Sequence, residues 1–270
     1  KAMEAMMKNA TQPGTGHYIA RLGIEDFIKL GYVPTDKWGE SVIRTMEFAY
    51  DDFCIAQMAK EMGKEDIYED LIKRSMNYIN VLDPETKFIR GKNSDGTWRD
   101  KKDQAISIWA RGTERDRDTY YRNITYFVPH DVQGLANFMG GNKQLEEHLD
   151  YFFANEYYYV GDEFSMHSPY LYNYIGAAWK TQKLIRELID NNFTNEFGGL
   201  PGNEDCGQLS AWYIFGAMGF YPTCPGVPTY QIGSPSFEKV TMNLPNGKTF
   251  EGIANNNSKE NVYIQSATLN

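Results

Sequence analysis

Apolar residues recur at helical spacing through the first three-quarters of the chain. Within residues 40–64 the apolar positions lie three or four residues apart, which places them on one face of a helix. These positions are Val42, Met46, Ala49, Phe53 and Ala56. Gly63 follows them, and glycine commonly ends a helix because it adopts the left-handed conformation at low cost. The pattern therefore predicts a helix that ends at Gly63.

A second helix is predicted over residues 65–81, and Asp83-Pro84 closes it because the residue before a proline disfavours helical backbone. Residues 84–117 are rich in Gly, Asn, Asp and Lys without a clear period, which predicts a long loop. The helical spacing then resumes in four stretches, namely 131–139, 143–156, 169–191 and 206–218. Pairs of helices without intervening strands indicate an α/α barrel or a helical solenoid.

The pattern changes near Tyr221, after which prolines break the helical period. Apolar and polar residues then alternate in short stretches, as in strands. The stretches are 229–233, 238–244, 248–254 and 261–268. Asn246-Gly247 lies between two of them and is a strong signal for a two-residue hairpin turn. We therefore predict a helical part over residues 1–224 and a β segment over residues 225–270.

Length, charge and composition narrow the class of protein. The chain has 270 residues and a formal net charge of −9, which argues against nucleic acid as a partner. Aromatic residues make up 14% of it, with 19 Tyr. Aromatic faces can bind sugar rings, although core packing explains most aromatics. No apolar run reaches the length of a membrane span.

Three cysteines, Cys54, Cys206 and Cys224, exclude a dense disulfide framework. A single bridge between Cys206 and Cys224 is one possibility, and three free buried thiols is the other. Lys1 begins in what the pattern predicts to be a helix, so we expect the whole protein to extend upstream of it.

The first polar cluster is Gly202-Asn203-Glu204-Asp205-Cys206-Gly207-Gln208, which precedes an apolar helix. Two functions fit these residues. Asp205 could cap the helix, with Gln208 at the third position. Alternatively, a carboxylate close to another acid has a raised pKa, which suits a general base.

The second cluster contains Asp162-Glu163, and His167 follows it. Adjacent carboxylates suit a hard cation such as calcium, which prefers oxygen ligands. The same acids would also be stabilised by a helix dipole without any metal.

In the third cluster, His130-Asp131 after Pro129 could orient a substrate hydroxyl. Alternatively, Asp131 caps the helix predicted over 132–139 while His130 packs in the core.

These clusters, in this order, resemble glycoside hydrolase family 92. The most specific stretch is GLPGNEDCGQLSAWYIFGAMGFYPTCPGVPTYQIGSPSFEKV at 199–240. SPYLYNYIGAAWKTQ at 168–182 and FVPHDVQGL at 127–135 also match. YDDFCIAQMAKEMGK at 50–64 and NVYIQSATLN at 261–270 extend the likeness to nearly the whole chain.

The resemblance implies part of an (α/α)6 barrel followed by a short C-terminal β segment, with an N-terminal β-sandwich that this chain lacks. It implies an exported enzyme, periplasmic or on the cell surface. Such an enzyme hydrolyses terminal non-reducing α-mannosides of glycans with inversion, α-1,2 linkages among them, with Ca²⁺ holding the mannose. Two carboxyl groups about 6.5–9.5 Å apart would leave room for the attacking water.

The resemblance also assigns roles to individual residues. Asp205 matches the general base and Asn203 the position that assists it. Glu163 and Asp162 match the segment that serves the metal and the mannose. Substrate contacts are implied for His130, Asp131, His167, Lys180 and Gln208.

Two departures from the family pattern stand out. Where the family often reads GNEPSHHIPY, this chain reads GDEFSMHSPY, and Asp162, Phe164 and Met166 are among the residues that differ. The general acid, usually a Glu, corresponds to Asp118, or to Glu114 if there is a short insertion.

Family members that cleave mannosyl-phosphate linkages can lack the usual acid, because phosphate leaves readily. Arg117 and Arg122 could then meet a phosphate, although solvated surface arginines are the simpler interpretation. The sequence thus leaves three hypotheses: an α-mannosidase, a mannosyl-phosphate hydrolase, and a non-catalytic glycan-binding homologue.

Overall fold

The computed structural model describes residues 1–14, 20–100 and 121–270. These residues divide into two compact units. The first comprises Lys1–Met139, Phe152–Tyr158 and Pro225–Val227, and the second comprises Gly140–Tyr151, Tyr159–Cys224 and Pro228–Asn270. None of the described helices combines the length and the hydropathy that crossing a membrane requires.

Helices dominate the first unit. They are α1 (Ala2–Thr11), α2 (Ile24–Leu30), α3 (Ser41–Glu61), α4 (Glu65–Arg74) and α5 (Val132–Met139), and residues 121–125 are also helical. Helix α3 is the central element, because it packs against both α1 and α4. Its buried Ile55, Ala56 and Ala59 meet Leu71 of α4 and Met3 of α1 in one apolar cluster.

The helix predicted over 40–64 is confirmed as α3, and Gly63 follows it in the left-handed conformation with φ 66°. The helix predicted over 65–81 is confirmed as α4 only to Arg74, and Ser75–Val81 continue as a 3-10 helix. The Ser75 hydroxyl donates to the carbonyl of Ile72 at 2.7 Å where the geometry tightens. Serine side chains bond to nearby carbonyls in this way and disturb the regular helix.

The predicted loop over 84–117 is irregular as far as Asp100, and its remainder lies outside the described residues. Two short antiparallel bridges, Leu82 with Ile89 and Lys92 with Trp98, fold it back on itself. The Arg90 guanidinium donates to the Asp83 carboxylate at 3.0 Å, which fixes the base of the loop.

Asp52 of α3 is fully buried, with 0% of its side chain exposed, and two arginines compensate its charge. Arg21 donates to Oδ1 at 2.5 Å. Arg74 donates to Oδ2 at 2.5 Å and to Oδ1 at 2.9 Å. The Nη2 atom that donates to Oδ1 also donates to the carbonyl of Ala10 at the end of α1, at 2.9 Å. This ion group therefore joins α1, α3, α4 and the segment that carries Arg21.

His130 lies in an aromatic enclosure in the same unit. Its ring stacks 5.9 Å from Tyr50, and it lies 5.4 Å from Phe53 and 5.5 Å from Tyr78. Its Nε2 atom is 3.0 Å from the carbonyl oxygen of Ser75. Burial lowers the pKa of His130, although the Ser75 carbonyl and the Asp131 carboxylate oppose that effect.

The second unit contains the remaining helices. They are α6 (Asn142–Ala154), whose last three residues belong to the first unit, α7 (Leu171–Tyr174), α8 (Ala178–Asn192) and α9 (Gln208–Met218). The single helix predicted over 169–191 is wrong, because a 3-10 turn at Ser168–Tyr170 and α7 end before Gly176. Gly176 has φ 85°, a left-handed conformation that interrupts a helix.

Short strands complete this unit: β1 (Phe220–Tyr221), β2 (Gln231–Ile232), β3 (Lys239–Asn243) and β4 (Thr249–Ile253). Strand β1 pairs antiparallel with β2, and β3 pairs antiparallel with β4 in register Lys239 to Ile253. The hairpin predicted at Asn246-Gly247 is confirmed, since the Asn246 side chain accepts from the N–H of Lys248 at 3.0 Å and Gly247 has φ 78°. The two-residue turn is wrong, because the N–H of Leu244 donates to the carbonyl of Lys248 and three residues lie between them.

The strand predicted over 261–268 is wrong, since these residues adopt no regular structure. Side chains satisfy part of this backbone instead of a neighbouring strand. Gln182 accepts from the N–H of Ile264 at 3.0 Å, and Ser234 donates to the carbonyl of Val262 at 2.8 Å. Burial still alternates along Val262–Gln265, which explains why the pattern imitates a strand.

All three cysteines are free thiols, so the structure has no Cys206–Cys224 bridge. Cys224 is buried, whereas Cys206 is exposed, so the expectation that all three thiols are buried is wrong.

Replacement of Asp52 tests the buried ion group. We expect Asp52→Asn to lower the free energy of unfolding by about 3–5 kcal/mol, because it leaves two arginines without their counter-charge in the core. The exposed Asp70→Asn on α4 is the matched control, with an expected change below about 0.5 kcal/mol. Urea denaturation of the full-length protein that contains this chain measures both, and equal effects would contradict the prediction.

The enclosed His130 predicts a pH dependence of stability. Its pKa is lower in the folded than in the unfolded protein, so the unfolded state binds more protons as the solution is acidified. The stabilising contribution is therefore present above about pH 6.5 and is lost as the pH falls below that value. We expect the stability difference between the wild type and His130→Gln to narrow from pH 7.5 to 5.5 in urea denaturation. A difference that stays constant over this range would count against the enclosure.

Candidate active site

Two acid-bearing segments meet in the second unit, and glycines permit the meeting. A side chain at Gly161 would collide with the carbonyl of Pro201. A Cβ atom on Gly202 would lie 2.6 Å from the Gly161 carbonyl oxygen. The backbone next to Asp162-Glu163 therefore packs directly on the backbone next to Asn203-Glu204-Asp205. Two of the three polar clusters found in the sequence come together here.

The segment that carries Asp162 and Glu163 is tightly held. The Ser165 hydroxyl lies 2.6 Å from the carbonyl oxygen of Tyr159 and 2.9 Å from that of Asp162. The Asp162 carboxylate accepts from the N–H of Phe164 at 3.3 Å. The indole N–H of the fully buried Trp212, on α9, donates to the carbonyl of Met166 at 2.8 Å. These bonds leave the side chain of Glu163 exposed at the surface.

The other segment makes a turn in the left-handed conformation. Asp205, Cys206 and Gly207 have φ of 43°, 59° and 88°. Such backbone is unusual for residues with side chains and is found where the surroundings enforce it, often at functional sites. The turn leads directly into α9, and the N–H of Gln208 donates to the Asp205 carbonyl at 3.2 Å.

Glu204, and not Asp205, bonds to the start of α9. Its Oε1 atom accepts from the N–H of Ser210 at 3.3 Å and from the Ser210 hydroxyl at 2.5 Å. Gly207 occupies the N-cap position, where no side chain makes a capping bond. The interpretation of Asp205 as a helix cap is therefore wrong. Its carboxylate stands exposed and is not needed to satisfy the helix.

The carboxylates of this cluster are close enough to shift the pKa of Asp162. The pKa of Asp162 is raised to about 6, first by burial and then by the negative charge of Glu163. The charge of Asp205 raises it further, whereas the N–H of Phe164 lowers it. A cation would relieve this repulsion.

Oxygen donors dominate what this site offers a metal ion. Asp162, Glu163 and Asp205 supply carboxylates, and Asn203 and Gln208 are exposed amides nearby in the chain. Within the part of the chain that the structure describes, no three His, Cys, Asp or Glu side chains are grouped as metal ligands. Carboxylate and amide oxygens are nevertheless donor types that calcium prefers, and calcium also accepts carbonyl oxygens and water.

Two other predicted substrate residues of this unit, His167 and Lys180, are buried or ion-paired. His167 is buried, and so is Met166, at a position where family members often carry histidine. Lys180 lies on α8, with its Nζ 2.6 Å from both Glu146 Oε1 and Asp150 Oδ2. Burial alone would lower the pKa of Lys180, but these carboxylates raise it. Substrate contact by these residues stays a prediction.

His130 and Asp131 belong to the first unit. Asp131 accepts from the N–H of Gly134 at 2.9 Å, which caps α5, and from the Tyr78 hydroxyl at 2.7 Å. The structure thus shows the capping and packing roles of this pair, and substrate binding stays a prediction.

The predicted general acid Asp118, its alternative Glu114, and Arg117 lie outside the described residues. The guanidinium of Arg122 lies 4.4 Å from the ring centroid of Phe88 and 4.5 Å from that of Tyr157. Sequence reasoning overlooked the bond of Glu204 to Ser210 and the position of Tyr159 against Gly161 and Gly202. The signal that could have found them is the glycine next to each acid-bearing segment, since glycines mark close backbone approach.

The comparisons with known proteins agree on one family. Residues 1–270 match the family model described as the glycosyl hydrolase family 92 catalytic domain. A family GH92 α-mannosidase from Bacteroides thetaiotaomicron is 40% identical with a TM-score of 0.87, over 97% of this chain and 35% of that protein. A family GH92 inverting mannosidase from Bacteroides thetaiotaomicron VPI-5482 is 37% identical with a TM-score of 0.85, over 95% and 38%.

A relative from Arthroderma benhamiae, named an uncharacterized secreted glycosidase, is 32% identical over 299 residues. The match covers 100% of this chain and 38% of the relative, so the chain spans a little over a third of these proteins. The likeness to the solved structures confirms the predicted fold class, part of an (α/α)6 barrel followed by a short β segment. The chain therefore belongs to the catalytic domain of glycosyl hydrolase family 92.

Proposed function

We propose that the protein containing this chain hydrolyses terminal non-reducing α-linked mannose, α-1,2-linked in particular, with inversion and with the help of calcium. The observation that carries the proposal is the contact of the two acid-bearing segments at Gly161, Pro201 and Gly202. Family membership supports the reaction class, and a related α-mannosidase forms a complex with mannoimidazole.

Asp205 is the general base in this proposal. Its carboxylate is exposed and is not used as a helix cap, because Glu204 bonds to the start of α9 in its place. The left-handed turn at Asp205 and Cys206 presents it at the surface of the unit. Asn203 assists by orienting the same water. Inversion requires this water to attack the sugar carbon on the face opposite the leaving group.

Glu163 and Asp162 are the proposed calcium ligands. Burial raises the pKa of Asp162 and the charges of Glu163 and Asp205 raise it further, so a cation beside them would relieve that repulsion. When bound, Ca²⁺ supplies Lewis-acid contacts to adjacent hydroxyls of the mannose. The side chains of this chain orient the sugar: Gln208 stands at the exposed start of α9, and His130, Asp131, His167 and Lys180 remain proposed contacts.

Asp118 is the proposed general acid, with Glu114 as the alternative. An aspartate is one methylene shorter than the usual glutamate, so it delivers a proton less effectively to a sugar leaving group. This substitution is the observation that keeps mannosyl-phosphate hydrolysis as a second candidate, since a phosphate leaving group needs no proton. Arg122 gives that candidate little support, because its guanidinium lies between two aromatic rings.

We further propose that the whole protein is exported, to the periplasm or the cell surface, as the secreted relative suggests. Its substrate is a mannose-containing glycan. The partner that completes the active site is the N-terminal β-sandwich expected from the family.

Removal of calcium tests whether the activity requires this metal. We expect EGTA to abolish release of mannose from α-1,2-mannobiose by the full-length protein, and added Ca²⁺ to restore it, because the donors are oxygen atoms. Mg²⁺ is the control and should restore little, since it demands a tighter octahedral site. Full activity in the chelator would show that Asp162 and Glu163 serve without a metal.

Substitution of the two carboxyl groups tests the mechanism. We expect Asp205→Asn to lower turnover about 100- to 10,000-fold on every substrate, because the attacking water always needs a base. Asp118→Asn should slow only substrates with poor leaving groups, such as mannobiose, and spare an activated aryl mannoside. Glu196→Gln, an exposed acid of the same unit as Asp205, is the control and should leave the rates unchanged.

The outcomes separate the three hypotheses. Unchanged mannobiose hydrolysis by Asp118→Asn would transfer the acid role to Glu114 or to a mechanism without an acid. A wild type that cleaves mannosyl phosphate and not mannobiose would favour the second candidate. A protein that binds mannosides without cleaving either substrate would be a glycan-binding homologue.

A further inference from the structure

Tyr159 lies where the two acid-bearing segments meet. Its Cζ atom is 2.8 Å from the position that a Cβ atom on Gly161 would occupy. Its hydroxyl is 2.7 Å from the corresponding position on Gly202. The ring therefore lies across both glycines, and a side chain at either one would displace it. One aromatic residue thus spans the junction from which Asp162-Glu163 and Asn203-Asp205 emerge.

The ring is accessible as well as anchored. Its main chain is fixed, because the carbonyl oxygen lies 2.6 Å from the Ser165 hydroxyl. The side chain is nevertheless 48% exposed, which is unusual for an aromatic residue packed on backbone. Among the described residues the phenol hydroxyl has no hydrogen-bond partner, so it can both donate and accept.

These properties fit a sugar ring. An exposed aromatic face packs against the C–H face of a pyranose, and a phenol hydroxyl at its edge can bond to a sugar hydroxyl. The acids beside it supply the polar contacts that a mannose requires. A tyrosine fixed at its main chain loses little conformational freedom when it binds, which favours affinity.

We propose that Tyr159 is a substrate-binding residue that packs against the mannose held by the acid cluster. The inference rests on the proposed function, because it takes that mannose as the ligand. The ring contacts the glycine of each segment, so a mannose bound by the acids that follow these glycines would lie next to Tyr159. Tyr159 binds the sugar and takes no part in proton transfer.

Kinetics of Tyr159 variants in the full-length protein test the inference. We expect Tyr159→Ala to raise KM about 10-fold on both α-1,2-mannobiose and an aryl α-mannoside, with kcat within about 3-fold of the wild type. Tyr159→Phe keeps the ring and should stay within about 3-fold on both parameters. The control is Tyr263→Ala, which removes a ring of similar exposure, 44%, from the C-terminal segment.

Each result has a defined meaning. Unchanged KM in Tyr159→Ala, with an active wild type, overturns the inference and leaves the proposed function standing. A KM effect confined to mannobiose also overturns it, since it would place the ring at the leaving group. A wild type that cleaves neither substrate overturns the proposed function and this inference with it. If alanine lowers the Tm, Tyr159→Leu retains packing on Gly161 and Gly202 and is expected to raise KM in the same way.

Discussion

The close backbone contact between Gly161 and the Pro201-Gly202 pair is the constraint on which the candidate site depends. Neither glycine can be replaced without a collision, because a Cβ atom would enter the space of the opposite backbone. Only this approach brings two segments about forty residues apart in the chain close enough for their charges to interact. A larger residue at either position would separate the acids and reduce the site to two unrelated polar loops.

Helix α9 stabilises this backbone contact by bonding to both segments. Trp212 on α9 anchors Met166, and Glu204 satisfies the first turn of the same helix. One helix thereby fixes both acid-bearing segments. Because Glu204 bonds to Ser210 in the first turn, Asp205 keeps an exposed carboxylate on a turn that precedes the helix in the left-handed conformation. Structural and chemical roles are thus divided between two neighbouring acids.

Periodicity predicted most helices, and the Asn246-Gly247 dipeptide between two alternating stretches predicted the hairpin, because both signals are local in the chain. It failed where distant side chains decide the structure, as at residues 261–268, whose backbone bonds to Gln182 and Ser234. The acid positions of the site came from motif resemblance. The sequence could not predict how roles are divided between Glu204 and Asp205, because two adjacent acids before a helix satisfy the same capping pattern.

The departures of this chain from the family pattern have opposite physical consequences. Met166 is buried, so the change from histidine alters the core beside the site and not its surface. Asp162, where the family often has asparagine, adds a negative charge next to Glu163 and Asp205. Its pKa is raised to about 6, first by burial and then by those charges. An amide would avoid this repulsion. A carboxylate is compatible with a stable site when a cation shares it, because calcium affinity increases with the number of charged ligands. The extra charge therefore favours the proposed calcium ion more than an asparagine would.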